Sequence, residues 1–446
     1  MILFYRVKCK YILKLELIII KNNIKFIHCS DIHLGANPYG IEERFEDMGR
    51  AFMQVVACAI SERVEFILIV GDFFHQKNLN AKTLEQAVNL LEPLKNAGIP
   101  VYMTEGNHDM ATYTNIYSWL DFLCQKEYIY LLKPDTDDDG SPILRKRSGV
   151  NKIGGILERE DSYIVGLGYP GATAGVMINK LSAFIPDNEV KPVIIMLHTG
   201  IDKFLTEGMG GLREDELTLV IEKSDYIALG HIHTRYDNKD MKYYNPGAIE
   251  NVKIESLTKN KDNRDKGFYL VNLAHDTRKV DTEFKKVDIR NSINIEVDIT
   301  GLSSNVECIV SKIKAEVDKV HTNNDDIILN IKLIGTLIDG VTVLDINALK
   351  KEVKTLINVI YIEILNNLQS KNSGELALKE NQTREEIDRE VILKLIQNEG
   401  FEEKDAEKLI NIVMHIKEQA TEGTITMDMQ EGMDIKGLVE KYVDNA

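Results

Sequence analysis

The sequence predicts an α/β protein built as a large first domain, a smaller second one and a helical tail. From Ile24 to about Leu273, short apolar runs alternate with segments of helical periodicity. A second, shorter alternation follows from Asn294 to about Asn367. The chain, 446 residues with 44% apolar content, is also too long for one ordinary core.

The leader, MILFYRVKCKYILKLELIIIKNN (1–23), has an apolar patch broken by Lys14 and Glu16. No stretch reaches the roughly 18 apolar residues of a membrane span. Residues 1–23 read as an appended segment, and no membrane partner is expected. The strand IKFIHCS follows, then a helix through RFEDMGRAFMQVVACAI, the strand FILIVGD, the helix TLEQAVNLLEPLKNA and the strand IPVYMT. Strands separated by helices of this length imply parallel pairing at the start of the domain. Further strands are SYIVGLG, PVIIMLH, DYIALG and GFYLVNL. The second unit runs INIEVDI, helix NVECIVSKIKAEVDKV, IILNIKLI, helix INALKKEV and VIYIEIL. The tail opens on a capping box, Thr383 with Glu386, ahead of a helix with Ile387, Val391, Ile392, Leu395 and Ile396 on one face. Gly400 ends it, and Leu409, Ile410, Val413 and Ile416 mark a second amphipathic helix, giving a helical hairpin. These limits set domains at 24–289, 290–370 and 371–446.

Five scattered cysteines (Cys9, Cys29, Cys58, Cys124, Cys308) include no C-x-x-C pair, which argues against a disulfide framework or a thiolate zinc site. A reducing cytoplasm is the expected compartment. The net charge of −16 speaks against a protein that coats phosphate backbones. Residues 374–446 hold 18 acidic and 9 basic side chains, however, so −9 of the −16 lies in the tail.

The chemistry-bearing residues each follow a predicted strand. Asp31 and His33 lie in SDIHLG, Gly71 and Asp72 in GDFFH, and Asn107 and His108 in EGNHD; His198 follows PVIIML, and His231 and His233 lie in GHIH. In open α/β sheets, ligands gather beyond the carboxyl ends of the strands. Carboxylates, an amide and imidazoles delivered to one crevice suit two divalent cations about 3.5–4 Å apart, with a shared carboxylate such as Asp72 between them. Mixed nitrogen and oxygen donors favour manganese, iron or zinc over magnesium. Two cations less two carboxylates leave the pocket roughly +2 inside an acidic protein.

The motifs D-x-H, GD, GNHD, a later His and GH-x-H resemble the calcineurin-like metallophosphoesterase superfamily. Their forms here, IHCSDIHLG, GDFFH, GNHD, LHTGI and LGHIH, resemble more specifically the SbcD family, the meiotic-recombination-eleven-type nuclease subunits of double-strand-break repair complexes. The resemblance implies a β-sandwich flanked by helices in four αββα layers, then an α/β DNA-capping domain and ATPase-docking helices. It implies that Asp31, His33, Asp72 and His233 hold one metal and that Asp72, Asn107, His198 and His231 hold the other, with Mn2+ the expected ion. His108 is then the acid for the leaving oxygen, Asp109 orients His108 or its loop, Gly106 allows a sharp turn, and His75 is a second non-ligand histidine near the scissile phosphate. Implied partners are DNA ends, double- or single-stranded, and an SbcC-type coiled-coil ATPase gripped by Ile387, Val391, Leu395, Leu409 and Val413. A homodimer is expected, with Tyr113, Ile116, Tyr117 and Leu120 forming either its face or core, and a nucleoid-associated location.

Two other readings stand beside this one. The chain is a phosphoesterase for a non-DNA substrate, or an ATPase adaptor that no longer hydrolyses. DTDDDG resembles the opening of a calcium loop, but Lys146 stands where the bidentate Glu belongs, and it reads as a solvated turn. Gly335 and Gly340 have phosphate-loop spacing, but Val341 replaces the Lys, so any ATP use comes from a partner.

Overall fold

A computed structural model describes residues 23–369 except 112–116, 140, 148–153, 172–173, 206–210, 253–264 and 321–325; beyond 369 it describes 389, 392–393, 409–410 and 413–414. Residues 1–22 of the leader, Tyr113, Ile116, Ile387, Val391, Leu395, Ile396 and Ile416 lie outside the described residues. Residues up to Ile334 together with Val343–Asn367 make one compact unit; Gly335–Thr342 and Leu368 onward make a second. Within the second, Ile392, Leu409, Ile410 and Val413 are helical, with Ile410 buried and Val413 exposed.

The first unit runs β1 (Asn23–Cys29), α1 (Glu42–Ser61), β2 (Phe66–Val70), α2 (Ala81–Asn96), β3 (Val101–Thr104), α3 (Trp119–Gln125) and β4 (Tyr130–Leu131). Two short strands, β5 (Asp135–Thr136) and β6 (Pro142–Ile143), form a hairpin of their own. There follow β7 (Ile156–Glu158), β8 (Tyr163–Gly168), α4 (Ala174–Ser182), β9 (Val193–Leu197), α5 (Thr218–Lys223), β10 (Tyr226–Leu229), β11 (Tyr236–Asn238), β12 (Tyr243–Asn245), β13 (Gly267–Ala274) and β14 (Val280–Lys286).

Two six-stranded sheets result, ordered β14-β13-β1-β2-β3-β4 and β11-β12-β10-β9-β8-β7. Strands β1 to β4 are parallel, as are β8, β9, β10 and β12; β13, β14, β7 and β11 run antiparallel to their neighbours. Alternate residues of each strand go to opposite faces. Phe26, Phe66, Leu68 and Val70 of the first sheet meet Ile164, Ile194, Met196 and Tyr226 of the second in one apolar layer. Ile27, Ile67 and Ile69 instead face Met48, Phe52 and Val55 of α1 and Leu91 and Leu94 of α2. On the far side, Val165, Ile195 and Leu229 face Ile178 and Leu181 of α4 and Val220 of α5. The order is therefore helix, sheet, sheet, helix, as the resemblance implies. Strands covered on both faces need apolar residues on both, which is why IKFIHCS and FILIV read as continuous runs.

Helix α1 presents Phe45, Met48, Phe52, Val55, Val56 and Ala59 at helical spacing to the sheet. The Asn80 side chain accepts the Thr83 amide to start α2, and Ser118 and Asp121 form a capping box on α3. Leu120, considered for a self-association face, is fully buried in the α3 packing, whereas Tyr117 is exposed.

A three-stranded sheet, β15 (Ser292–Asp298), β16 (Ile327–Gly335) and β17 (Val359–Leu368), carries α6 (Val306–Val320) and α7 (Ile346–Leu356). Ile309, Ile313 and Val317 of α6 and Leu349 and Val353 of α7 are its buried helical residues. The chain enters this module where Gln54 of α1 exchanges two hydrogen bonds with the Asp288 backbone, at 2.8 and 2.9 Å. Among the described residues, no helix is long and apolar enough to cross a membrane.

Candidate metal centre

The loops leaving β1 and β2 lie side by side, laced by backbone bonds from Asp31 N to Gly71 O (3.1 Å), His33 N to Asp72 O (3.0 Å) and Leu34 N to Phe73 O (2.8 Å). To turn the side chains inward, the backbone takes left-handed φ at four non-glycine positions: Asp31 (52°), His33 (53°), Asp72 (52°) and His231 (82°). Each costs roughly 1–2 kcal/mol, and the lacing offsets it.

The chain does turn at Gly106, whose carbonyl accepts the Asp109 amide at 3.1 Å, but it does so without a positive φ. Gly106 permits close approach: a Cβ there would sit 2.1 Å from Asp72 Oδ1. The His108 amide, two residues on, donates to that same oxygen at 2.9 Å.

Seven side chains converge. Nε2 of His33 lies 3.1 Å from Nε2 of His233 and 3.8 Å from Asp72 Oδ2, and His233 Nε2 lies 3.7 Å from Asp31 Oδ1. Across the pocket, His198 Nε2 lies 3.4 Å from Asp72 Oδ2 and 3.3 Å from Asn107 Oδ1, which is 3.1 Å from His231 Nδ1. Donor atoms of Asp31, His33 and His233, and separately of Asp72, His198 and His231, lie within 4.8 Å of one another. Asp72 stands between the groups. The donor set fits two divalent cations: carboxylates and imidazole lone pairs share buried space that they would otherwise fill with mutual repulsion.

Protonation follows from burial and neighbours. Burial, with His233 beside it, holds His33 well below its ordinary pKa; burial and His198 lower His231 to about 4, and burial and Lys266 lower His233 to about 3. All three are neutral at pH 7, the form that offers a lone pair to a metal. Burial alone would raise Asp72, but His198 and His33 hold it well below the carboxylate range. Burial would lower His198, but Asp72 raises it to about 9. Asp31 is pushed up to about 6 by burial, against the opposing pull of His198. Asp72 and His198 thus form a charge pair, and His198 would have to give up its proton to serve as a metal ligand. His198 Nδ1 donates to Val70 O at 2.8 Å, which fixes Nε2 as the inward atom.

His108 donates Nδ1–H to His75 O at 2.7 Å, and its ring stacks on that of His75 at 5.6 Å and 13°. Both rings lie beside His33, with His75 Nδ1 3.3 Å from His33 Nδ1. Asp109 braces the loops rather than His108: its carboxylate accepts the amides of Phe73 (3.2 Å), Phe74 (3.0 Å) and Gly106 (3.0 Å).

Three neighbours were not anticipated from sequence. Tyr169, after β8, sets its ring 5.5 Å from His231 and 6.1 Å from His198. Lys266, at the start of β13, is buried and donates to His233 O at 2.9 Å; burial lowers it to about 8. The Asn245 amide bonds the carbonyls of Ile232 and Thr234, both at 2.8 Å. His28 is buried between the sheets and bonded to Tyr226 Oη and Leu229 O. Asp135 and Thr136 pair as β5, and Asp137 after them accepts the amides of Asp139 and Ser141.

Residues 24–235 match the calcineurin-like phosphoesterase family. Among curated relatives, the chain is 27% identical to the DNA double-strand break repair protein Mre11 of Aeropyrum pernix over 320 residues, 68% of this chain and 70% of that one. The Mre11 protein of Sulfolobus acidocaldarius is 25% identical over 415 residues, covering 90% and 97%. That of Sulfurisphaera tokodaii is 32% identical over 214 residues, covering 47% and 49%. The family match spans all five loops of the centre and the Mre11 matches extend well beyond it: residues 24–235 are a calcineurin-like phosphoesterase domain, in a chain similar over most of its length to Mre11 proteins.

Proposed function

We propose that the chain is a DNA nuclease subunit, hydrolysing phosphodiester bonds at double- or single-stranded DNA ends in repair and recombination. The observation that carries this reading is the placing of Asp72 between two groups of buried donors. Asp31, His33, Asp72 and His233 would hold one cation, and Asp72, Asn107, His198 and His231 the other, with Mn2+ the ion their mixed donors favour. When bound, the cations supply Lewis acidity and neutralise charge gathering on the phosphate.

The chain's own residues do the rest. His108 holds its proton toward the departing sugar oxygen from Nε2, since Nδ1 is committed to His75 O and its backbone amide to Asp72. His75, stacked on it, fixes the ring plane beside the scissile phosphate. Residues 24–289 act as the nuclease domain, 290–370 as the DNA-capping module, and 371–446 as helices docking an SbcC-type coiled-coil ATPase in a cytoplasmic, nucleoid-associated homodimer. Support for the assembly is the match to an Mre11 protein over 90% of this chain and 97% of that one.

The test is Mn2+-dependent cleavage of end-labelled duplex DNA, with and without a co-purified coiled-coil ATPase, beside a generic phosphodiester reporter. Cleavage of both substrates is expected. Reporter hydrolysis without DNA cleavage would point to another phosphoester substrate, and silence on both would leave an adaptor.

A further inference from the structure

We propose that Arg290 and Asp47 form a positioning joint through which the seating of the 290–367 module sets the geometry of the cation held by His33 and His233. This rests on the two-cation reading above.

Asp47, on α1, is buried, and its carboxylate receives three guanidinium groups: Arg44 at 2.6 Å, Arg50 at 2.6 Å, and Arg290 through two bonds at 2.7 and 2.9 Å. Arg290 also donates to the carbonyl of Asp326, immediately before β16, at 3.1 Å. One side chain thus grips both the nuclease core and the module. A planar fork of this kind fixes angle as well as distance, which a single-point contact does not.

The network continues toward the centre. Arg44, also buried, donates to Asn251 O at 2.6 Å and to Glu250 Oε1 at 3.3 Å. The same segment holds the GH-x-H loop. Ala248 N donates to His233 O at 3.2 Å, Asn245 clasps the carbonyls on either side of His233, and Lys266, whose charge is attracted to Glu250, donates to His233 O. From Asp326 through Arg290, Asp47 and Arg44 to the 245–251 segment and His233, every step is a hydrogen bond or a short stretch of chain.

The module also touches the segment that leaves the His33 loop. Tyr361 of β17 packs its ring 4.6 Å from that of Tyr39, in the segment that follows His33. The cation position of His198 is secured from within the sandwich, through Val70 O. Displacing the module therefore acts on the His33/His233 position first.

The experiment is calorimetric titration of the metal-free full-length chain with Mn2+ alone. Wild type is expected to show two sites, one of them lost in His33→Ala. Arg290→Gln leaves Asp47 with Arg44 and Arg50, and should weaken that same site by about 10-fold, the scale of partners that orient a ligand, while the other site is unchanged. Arg290→Lys should fall between. Glu250→Gln, at the far end of the network, should weaken the same site, and the double variant should be no weaker than the worse single variant. Wild-type affinity at both sites in Arg290→Gln, or additive losses in the double variant, overturns the joint. Should Arg290→Gln fail to fold, Tyr361→Ala and Glu250→Gln carry the test, and wild-type affinity in both overturns it. Fewer than two sites in wild type instead overturns the two-cation reading, and the joint with it.

Discussion

His33 and His233, 200 residues apart in the chain, bring their Nε2 atoms to within 3.1 Å. Two neutral imidazoles meeting nitrogen to nitrogen can share either one proton, as a hydrogen bond, or a cation held by both lone pairs. Asp31 and Asp72 nearby supply the negative charge that a shared cation requires. The arrangement makes metal content the most direct readout of the centre.

Asp72→Asn should lose both cations, because its carboxylate faces both donor groups, whereas His33→Ala should lose chiefly one. Metal analysis of the purified variants checks this. An Asp72→Asn protein with its full complement would reject the bridging role.

His108→Ala should keep both cations and lose cleavage by about 10²–10⁴-fold, the usual contribution of a general acid. Its Nδ1 is bonded to the His75 carbonyl and its ring stacks on His75, although the ring also lies 5.1 Å from that of His33. Metal loss in this variant would make His108 a ligand instead.

Gly106→Ala should behave like an Asp72 variant. The new methyl would meet Asp72 Oδ1 at 2.1 Å and the Asp72 backbone N at 2.3 Å, so Asp72 is displaced, side chain and backbone together. Expected are a folded protein by circular dichroism and loss of both metals. Retention of both would show that the loop yields instead.

His28 should make the protein acid-sensitive. Burial lowers its pKa from 6.5 to about 3, so the unfolded chain takes up a proton there before the folded one does. Its contribution is complete above about pH 6.5 and is lost as pH falls toward 3. Between pH 7 and pH 5 this amounts to about 2 kcal/mol. Urea unfolding at both pH values should show wild type losing that much more than His28→Gln; equal losses would remove His28 as the cause.

Much of this was legible in the sequence because strand ends are. The runs IKFIHCS, FILIV, VYMT, VIIML and YIAL are apolar enough to be placed, and the polar residues just beyond them had one end of the sandwich to occupy. Short strands were not legible: β11 and β12 have three residues each, too few for a period. Lys266 escaped notice because β13 runs antiparallel to β1, so the start of β13 reaches the end where the centre lies. A lysine in DKG reads as surface until that pairing is known. Nor do Asp31, His33, Asp72 and His231 advertise left-handed backbone, since their side chains disfavour it and only the surrounding lacing imposes it.

Strand β1, the first described element of the chain, is also central, with β2 on one side and β13 on the other. On a ribosome adding 5–20 residues per second, β13 follows β1 only after a delay on the order of tens of seconds. Every residue of the centre has emerged by then, while β1 still shows a bare hydrogen-bonding edge of the kind that pairs with foreign strands. Synthesis of this chain therefore completes its chemistry before it closes its sheet, and that interval is where a chaperone has most to protect.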